Sequence, residues 1–281
     1  MSIVNKLKKD AHMSVEFTIL MAVYEKDKVD LFKKAVASIY NNSVLPHAFI
    51  LVVDGPVGPE LRRQISESEN RYKIQPIWLP TNGGLANALN AGLNEVETEW
   101  VVRADADDFN LPFRFEEQAR LMTTNYDLIG GAIQEVDLAG HKLAIRRTPI
   151  RDNEIKKFVK YRNPFNHMTV AFRTELALQC GGYPNIYLKE DYALWALMIR
   201  HGARTANTSD ILVEATTGRN MYKRRGGWRY ANAEIKLQRH LVVCGIKSGI
   251  AAFFHGSARA SVFLMPQLLR GWIYEHYLRD K

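Results

Sequence analysis

The first half of the sequence alternates between short apolar segments and amphipathic segments, and this alternation restricts the fold more than any other feature. The four apolar segments span residues 17–23, 48–53, 72–78 and 100–104. Between them, apolar residues recur at helical spacing from Leu31 to Tyr40 and again from Leu85 to Val96. Strands that alternate with helices build a mostly parallel sheet covered on both faces. We therefore predict an α/β fold.

The second half has a less regular pattern. Helical spacing is found in residues 112–124 and 191–201, a hairpin pattern surrounds Ala139 and Gly140, and strand-like segments occupy residues 167–173 and 211–217. From Trp228 onward the pattern is almost entirely helical. We predict an α/β domain over residues 14–225 and a helical region over residues 226–281.

Composition narrows the class of protein. The 281 residues, of which 47% are hydrophobic, are enough to build a large core. The two cysteines lack the spacing of a disulfide framework or a zinc site, and the N-terminus lacks a secretion signal, so we expect a reducing cytoplasm. The formal net charge of +8 indicates an anionic partner, which is a nucleic acid, a phospholipid surface or a phosphorylated substrate.

An acidic cluster follows the fourth apolar segment, where Asp105, Asp107 and Asp108 are crowded together. In an open α/β sheet, ligands bind beyond the carboxyl ends of the strands. A hard divalent cation relieves repulsion between carboxylates, and Mg²⁺ or Mn²⁺ is commonly held by carboxylates together with phosphate oxygens. The cluster therefore predicts a metal site. The alternative is a solvated acidic turn that caps the helix starting near Pro112.

A second acidic pair, Glu190 and Asp191, opens the helix that contains Trp195. A carboxylate placed opposite the metal site can remove the proton from an attacking hydroxyl group, and Asp191 is our candidate for that general base. The alternative is an acid that only stabilises the first turn of the helix.

Taken in chain order, these motifs resemble the family 2 glycosyltransferases. The matching segments are residues 19–24 (ILMAVY), 51–55 (LVVDG), 82–85 (NGGL), 90–92 (NAG), 105–108 (DADD), 182–183 (GY) and 190–191 (ED). The resemblance covers about the first two hundred residues. It implies the GT-A fold, a nucleotide-sugar-binding α/β domain in which the donor lies across the strand ends.

The resemblance also implies roles for individual residues. Asp191 acts as the general base of a single displacement that inverts the anomeric carbon. Asp107 coordinates Mn²⁺ or Mg²⁺, and Asp105 contacts the ribose and the metal. Further contacts to the nucleotide-sugar are implied for Val23, Tyr24, Glu25, Asp54, Asn82, Leu85 and Arg103. Contacts to the acceptor or the donor sugar are expected for His167, Glu190 and Trp195.

Two further segments have both a functional and an ordinary interpretation. Residues 163–168 resemble a segment of bacterial polysaccharide-assembling members, in which the histidine lies near donor and acceptor; His167 could equally be a hydrogen-bonded residue at the start of a strand. Arg224 and Arg225 lie in a basic, glycine-containing loop that is suited to clamping a diphosphate, or that is simply solvated.

The C-terminal residues 250–281 mix aromatic and apolar groups with arginines. Pro266 and the charges interrupt the apolar stretch, so it is too short to span a bilayer. The composition fits an interfacial helix on an anionic membrane. The alternatives are packing onto the α/β domain and oligomerisation through these helices.

Together these features predict an inverting, metal-dependent enzyme that moves a hexose from a UDP-sugar to a polyprenyl-diphosphate-linked saccharide. We expect it at the inner face of the cytoplasmic membrane, in O-antigen or related polysaccharide assembly. The alternatives are a metal-dependent phosphohydrolase, because a strand ending in Asp-x-Asp also marks that class, and a basic nucleic-acid-binding protein. The cations are dispersed and no nucleic-acid-binding module is recognisable, so we expect no nucleic-acid partner.

Overall fold

The computed structural model describes residues 15–217 and 226–265, and within them a nine-stranded sheet forms the centre of the molecule. The strands are β1 (Phe17–Val23), β2 (Ala48–Val53), β3 (Gln75–Trp78), β4 (Trp100–Arg103), β5 (Phe109–Asn110), β6 (Leu128–Val136), β7 (Lys142–Arg146), β8 (Ala171–Arg173) and β9 (Thr205–Thr216). Their order is β3-β2-β1-β4-β8-β6-β9-β5, with β7 paired to β6.

Helices cover the sheet and extend from it. They are α1 (Val29–Tyr40), α2 (Pro59–Tyr72), α3 (Leu85–Leu93), α4 (Arg114–Met122), α5 (Asp152–Phe158), α6 (Thr174–Gln179), α7 (Glu190–Arg200), α8 (Trp228–Val243) and α9 (Gly249–Leu264). A short 3₁₀ turn spans His167–Thr169.

The first four strands form the parallel half of the sheet. β1 lies at its centre and pairs in parallel with β2 and β4, and β2 pairs in parallel with β3. Alternate side chains of β1 enter opposite cores: Leu20 packs into one hydrophobic cluster, while Ile19 and Met21 pack into the other. Burial on both faces explains why these strands are continuous apolar runs. The predicted α/β fold is confirmed for this half.

Beyond β4 the sheet is mixed rather than parallel. β8 is antiparallel to β4 and β6, and β6 pairs in parallel with β9. The predicted hairpin is present as β6–β7, and Gly140 in its connection has a φ of +87°, which favours glycine. The predicted strand over residues 167–173 is instead a 3₁₀ turn followed by β8.

One predicted strand begins too early, and three helices were not predicted, namely α2, α5 and α6. Tyr72 is the last residue of α2, and β3 starts only at Gln75. The helix α2 is polar along most of its length, and its buried hydrophobic residues are Leu61 and Ile65. Two apolar residues four positions apart are too few to reveal a helical period in the sequence.

The helices α8 and α9 pack onto the domain and onto each other. Ala233, Leu237 and Leu241 of α8 belong to the same buried cluster as the helices that cover the sheet. Ala260 and Phe263 of α9 pack with the ring of Tyr230, which lies on α8. Among the residues that the structure describes, none of the helices combines the length and the apolar character needed to cross a bilayer.

Candidate active site

The acidic cluster lies directly after β4, at the carboxyl edge of the parallel half of the sheet. One oxygen from each of Asp105, Asp107 and Asp108 lies within 4.8 Å of the others. The loop is fastened to the end of β9, because Thr216 donates from its hydroxyl to the carbonyl of Asp107 at 2.6 Å. The backbone N–H of Thr216 also donates to Oδ1 of Asp108 at 2.8 Å.

The environment of Asp108 fits a divalent cation. Its side chain is 5% exposed, and its Oδ2 atom is buried without a hydrogen-bond partner. Burial, together with the charges of Asp107 and Asp105, holds the pKa of Asp108 well above its ordinary value. A cation placed among these oxygens would relieve the repulsion between the carboxylates and give Oδ2 of Asp108 a partner. Asp107 and Asp108 would hold the cation, and an oxygen of Asp105 could coordinate it through a lone pair that its hydrogen bonds leave open.

Asp105 is held between two cationic groups. Its Oδ1 atom accepts a 2.6 Å hydrogen bond from Nη2 of Arg103, and its Oδ2 atom lies 2.6 Å from Nε2 of His167. Burial alone would raise the pKa of Asp105, but the charges of Arg103 and His167 outweigh it and hold that pKa far below its ordinary value. Asp105 is therefore a fixed anion, whereas the buried carboxyl group of Asp108 lacks a compensating positive charge.

Arg103 is buried beside the acidic cluster. Its guanidinium group donates to Asp105, to the carbonyl of Leu20 at 3.0 Å and to the carbonyl of Ala104. Contact between Arg103 and a nucleotide remains a prediction. The side chain orients Asp105 and neutralises it.

A second buried cation, Arg114, lies beneath the same loop and was not identified from the sequence. It is fully buried and donates to the carbonyl of Arg103 at 2.7 Å, to Oε1 of Gln118 at 2.9 Å and to Oδ1 of Asn110. Its position in the first turn of α4 gives no local signal, because an arginine in a short amphipathic helix is usually solvated.

Asp191 lies on the opposite side of His167 from the acidic cluster. Its Oδ2 atom is 3.8 Å from Nδ1 of His167 and accepts a 2.6 Å hydrogen bond from Nδ2 of Asn163. The orientation of that amide is fixed, because Oδ1 of Asn163 accepts from the backbone N–H of Phe165 at 3.2 Å. The structure thus places Asp191 and His167 beside the acidic cluster. Asn163, which the sequence gave no role, holds Asp191 in place.

Glu190 has a different environment from its neighbour. It is buried, and its Oε2 atom accepts a 3.0 Å hydrogen bond from the backbone N–H of Lys189. Burial and the nearby charge of Asp191 raise the pKa of Glu190 to about 7. Of the two adjacent acids, Asp191 has the partly exposed carboxylate next to the site.

The loop between β3 and α3 is shaped by Asp54, which follows β2. The two carboxylate oxygens of Asp54 accept from the backbone N–H groups of Gly83 at 2.8 Å and Gly84 at 3.0 Å. The side chain of Asn82 donates to the carbonyl of Asp54 at 3.1 Å. Gly55 allows this approach, because a Cβ atom there would lie 2.6 Å from the backbone nitrogen of Asn82. Contacts from Asp54 and Asn82 to a nucleotide remain predictions.

The remaining residues expected to bind the nucleotide-sugar have mixed placements. The exposed side chain of Glu25 and the partly buried Tyr24 follow β1, and the half-exposed Leu85 starts α3. The side chain of Val23 is buried in the core, so only its backbone faces the strand ends. Arg224 and Arg225 lie outside the described residues.

Trp195 is a core residue and not a ligand contact. Its side chain is fully buried, and its ring lies 5.6 Å from that of Phe172 and 6.1 Å from that of Phe165, measured between centroids. The expectation that it contacts a sugar is therefore wrong. Trp195 lies one helical turn beyond Asp191, and α7 turns that part of its surface toward the sheet.

The fold and the site define a class that comparison with known proteins confirms. Residues 18–181 match the protein-family model for Glycosyl transferase family 2. The chain belongs to glycosyl transferase family 2 and is a glycosyltransferase with the GT-A fold. This assignment favours the predicted class over the phosphohydrolase and nucleic-acid-binding alternatives.

Similar proteins cover almost the whole chain. An Escherichia coli protein named UDP-Gal:alpha-D-GlcNAc-diphosphoundecaprenol beta-1,3-galactosyltransferase is 38% identical over 267 residues, which are 94% of this chain and 97% of that protein. The amylovoran biosynthesis glycosyltransferase AmsE of Erwinia amylovora is 32% identical over 261 residues, covering 92% and 98% of the two chains. The crystal structure of S. aureus TarS 1-349 in complex with UDP-GlcNAc has a TM-score of 0.69 at 14% identity, covering 94% of this chain and 76% of that one.

Replacing Asp108 by asparagine should distinguish the destabilising effect of the acidic cluster from its role in binding a metal ion. Without metal, Asp108→Asn replaces a buried carboxyl group, whose ionisation burial and neighbouring carboxylates oppose, by a neutral amide of the same shape, so we expect the midpoint of thermal unfolding to rise by roughly 2–4 °C per kcal/mol gained. Added Mn²⁺ should raise the midpoint of the parent protein but not that of the variant. Glu175→Gln, at an exposed position on α6, is the control. An equal Mn²⁺ response in all three proteins would contradict a metal site at Asp108.

The raised pKa of Glu190 predicts a specific dependence of stability on pH. Between the unfolded-state pKa near 4.5 and the folded-state pKa of about 7, the folded protein holds a proton that the unfolded chain has lost. Stability should therefore fall as pH rises from 5 to 8, by up to about 3 kcal/mol from this group. Glu190→Gln should lose that part of the fall in urea unfolding experiments. Parallel pH profiles for the two proteins would contradict the burial of a neutral Glu190.

Proposed function

We propose that the protein transfers a hexose from a UDP-sugar to a sugar carried on a polyprenyl diphosphate, with inversion and with Mn²⁺ or Mg²⁺. The observation that carries the proposal is the placement of Asp191 near the acidic cluster: His167 lies 3.8 Å from Asp191 and 2.6 Å from Asp105, which belongs to the same cluster as Asp107 and Asp108. Such a site holds a cation for a diphosphate and a base for a hydroxyl group side by side. The full-length similarity to the E. coli galactosyltransferase supports a UDP-galactose donor and a lipid-diphosphate acceptor.

Asp191 is suited to remove the acceptor proton. Its carboxylate is partly exposed, and its Oδ2 atom is oriented by Asn163. As the acceptor oxygen attacks the anomeric carbon, its proton passes to Asp191 and the bond to the diphosphate breaks. This single displacement inverts the configuration at the anomeric carbon. A bound Mn²⁺ or Mg²⁺ would neutralise the charge that develops on the departing diphosphate.

The residues around the base assist in distinct ways. His167 and Arg103 keep Asp105 ionised and immobile. The bound donor would therefore contact a carboxylate whose position and charge are already fixed. Asp54 fixes the loop of residues 82–84 at the strand ends, where the nucleotide is expected to lie. Polysaccharide assembly is the setting that the relationship to the amylovoran enzyme supports.

The acceptor proposal requires the enzyme to reach a membrane surface, and α9 offers a suitable face. Ile250, Phe253 and Phe254 are each about 70% exposed. Lys236 and Arg239 are exposed on the adjacent helix α8 and add to the net charge of +8. Exposed apolar side chains on one helix and exposed cations on the neighbouring helix fit the interface of an anionic lipid layer. We place the enzyme at the inner face of the cytoplasmic membrane.

Asp191→Asn tests the assigned chemistry. The change should lower transfer from UDP-galactose to a synthetic lipid-diphosphate N-acetylglucosamine acceptor by about 10² or more, because the proton acceptor is lost. Affinity for the UDP-sugar should stay within about twofold, since donor binding does not need the base. Calorimetric titration of the donor beside initial rates measures both. Collapse of donor affinity would assign Asp191 a structural role, and a panel of other UDP-sugars would correct the donor.

Serine at Phe253 or Phe254 tests the membrane face. Each change should weaken binding to phosphatidylglycerol vesicles by roughly 10- to 100-fold, since an inserted phenylalanine contributes on the order of 1.5–3 kcal/mol. Transfer to a short-chain, water-soluble acceptor should be unchanged. Leu143→Ser, at a half-exposed position on β7, is the matched control. Equal vesicle binding by all variants would refute this surface.

A further inference from the structure

The residue before the acidic pair, Lys189, is buried against the C-terminal helices. It is only 7% exposed, and its ammonium group lies 3.2 Å from Oε2 of Glu234 on α8. The same group lies 4.6 Å from the centre of the Tyr230 ring and 5.7 Å from that of Phe263. An ammonium can stay buried only where a carboxylate and aromatic faces replace its water. Here α8 and α9 supply every one of these groups.

Glu234 is the centre of this buried cluster. It is 1% exposed, and its Oε1 atom lies 3.1 Å from Nε of Arg259 on α9. Nε2 of Gln238 donates to the same oxygen at 2.8 Å. Glu234 therefore joins both C-terminal helices to Lys189, and the charge of Lys189 holds the pKa of Glu234 below its ordinary value in spite of burial.

The backbone just before α7 is strained, so the contact between Lys189 and Glu234 bears on how α7 begins. Leu188 has a φ of +54°, in the left-handed region that side chains other than glycine rarely adopt. The next residue, Lys189, is the N-cap of α7. Its backbone carbonyl accepts a 3.0 Å hydrogen bond from the backbone N–H of Ala193 in the first turn of that helix. A strained turn persists only when its surroundings fix it, and the buried ammonium of Lys189 is the anchor that follows it.

We propose that Glu234 is a positioning residue for sugar transfer, acting through Lys189. By fixing Lys189 it fixes the first turn of α7, and with it the carboxylate of Asp191 against Asn163 and His167. The C-terminal helices are thus part of the active-site structure. The inference rests on the proposed role of Asp191 as the base, and it goes beyond that role by assigning catalytic geometry to a residue on α8.

Glu234→Gln and Lys189→Met test the proposal, because each removes one charge at nearly constant shape. Each should lower kcat for transfer by about 10- to 100-fold, the cost of a misplaced catalytic group, while the KM for the UDP-sugar stays within about twofold. The double variant should be no worse than the single variants, since both remove the same interaction. Additive losses, or unchanged kcat in both single variants, would overturn the proposal.

Leu241→Ala is the control for general destabilisation. Leu241 also lies on α8, is fully buried in an apolar cluster, and carries no charge or hydrogen-bonding side chain. Its replacement should lower the midpoint of thermal unfolding without lowering kcat at a temperature where all variants are folded. If Leu241→Ala lowers kcat as much as Glu234→Gln does, the effect is instability and the proposal fails.

Two further variants complete the design. If Glu234→Gln does not accumulate as folded protein, Glu234→Asp keeps the charge and withdraws it by one methylene; it should lower kcat, and unchanged kcat would overturn the proposal. Asp191→Asn in the same assay separates the two hypotheses. If it leaves transfer intact, the base assignment fails; if it abolishes transfer while Glu234→Gln does not, only the positioning role fails.

Discussion

The ionic contacts of Asp105 are the interaction on which the rest of the site depends. Arg103 reaches this carboxylate from β4, in the parallel half of the sheet, while His167 reaches it from the turn that precedes β8. The topology makes this meeting possible. Because β8 is antiparallel to β4, the segment that enters β8 starts at the edge where β4 ends. Residues 163–167 are therefore delivered to the acidic loop, and with them the contact to Asp191.

The carboxylates at this edge of the sheet differ in how far neighbouring cations and hydrogen-bond donors compensate their negative charge. Asp105 has two cationic partners, and Arg114 lies fully buried below the loop. Asp108 receives one backbone N–H group and keeps one buried oxygen without a partner. A fully neutralised cluster would have little affinity for a cation, and an uncompensated cluster would destabilise the fold. The mixed arrangement fixes the geometry through Asp105 and leaves the attraction for a cation at Asp107 and Asp108.

Much of the site could be predicted because its signals are local in the sequence. The strand ends, the Asp105–Asp108 cluster and the Glu190–Asp191 pair each lie within a few residues of an apolar segment or a helix start. Other parts depend on long-range packing and left no local signal. The contacts of Arg103 are of this kind, since its partners include the carbonyl of Leu20, which is remote in sequence. The burial of Trp195 is another, because an aromatic residue near two acids has the same appearance in sequence whether it packs in a core or binds a sugar.

The C-terminal helices show how one amphipathic pattern can serve two purposes. The apolar and basic composition of residues 250–281 is compatible with lipid binding or with packing. The structure describes this segment up to residue 265, and α9 has one packed face and one exposed apolar face. Ala260 and Phe263 point toward Tyr230, whereas Phe253 and Phe254 lie on exposed surface. Ala260 and Phe263 are three positions apart, so they share one helical stripe. Arg259, next to that stripe, reaches Glu234. Because a helix is rigid, the exposed face of α9 and the face that contacts Lys189 keep a constant relation. If the exposed face contacts the membrane and Asp191 is the base, as proposed, that base is held at a defined position relative to the lipid that carries the acceptor.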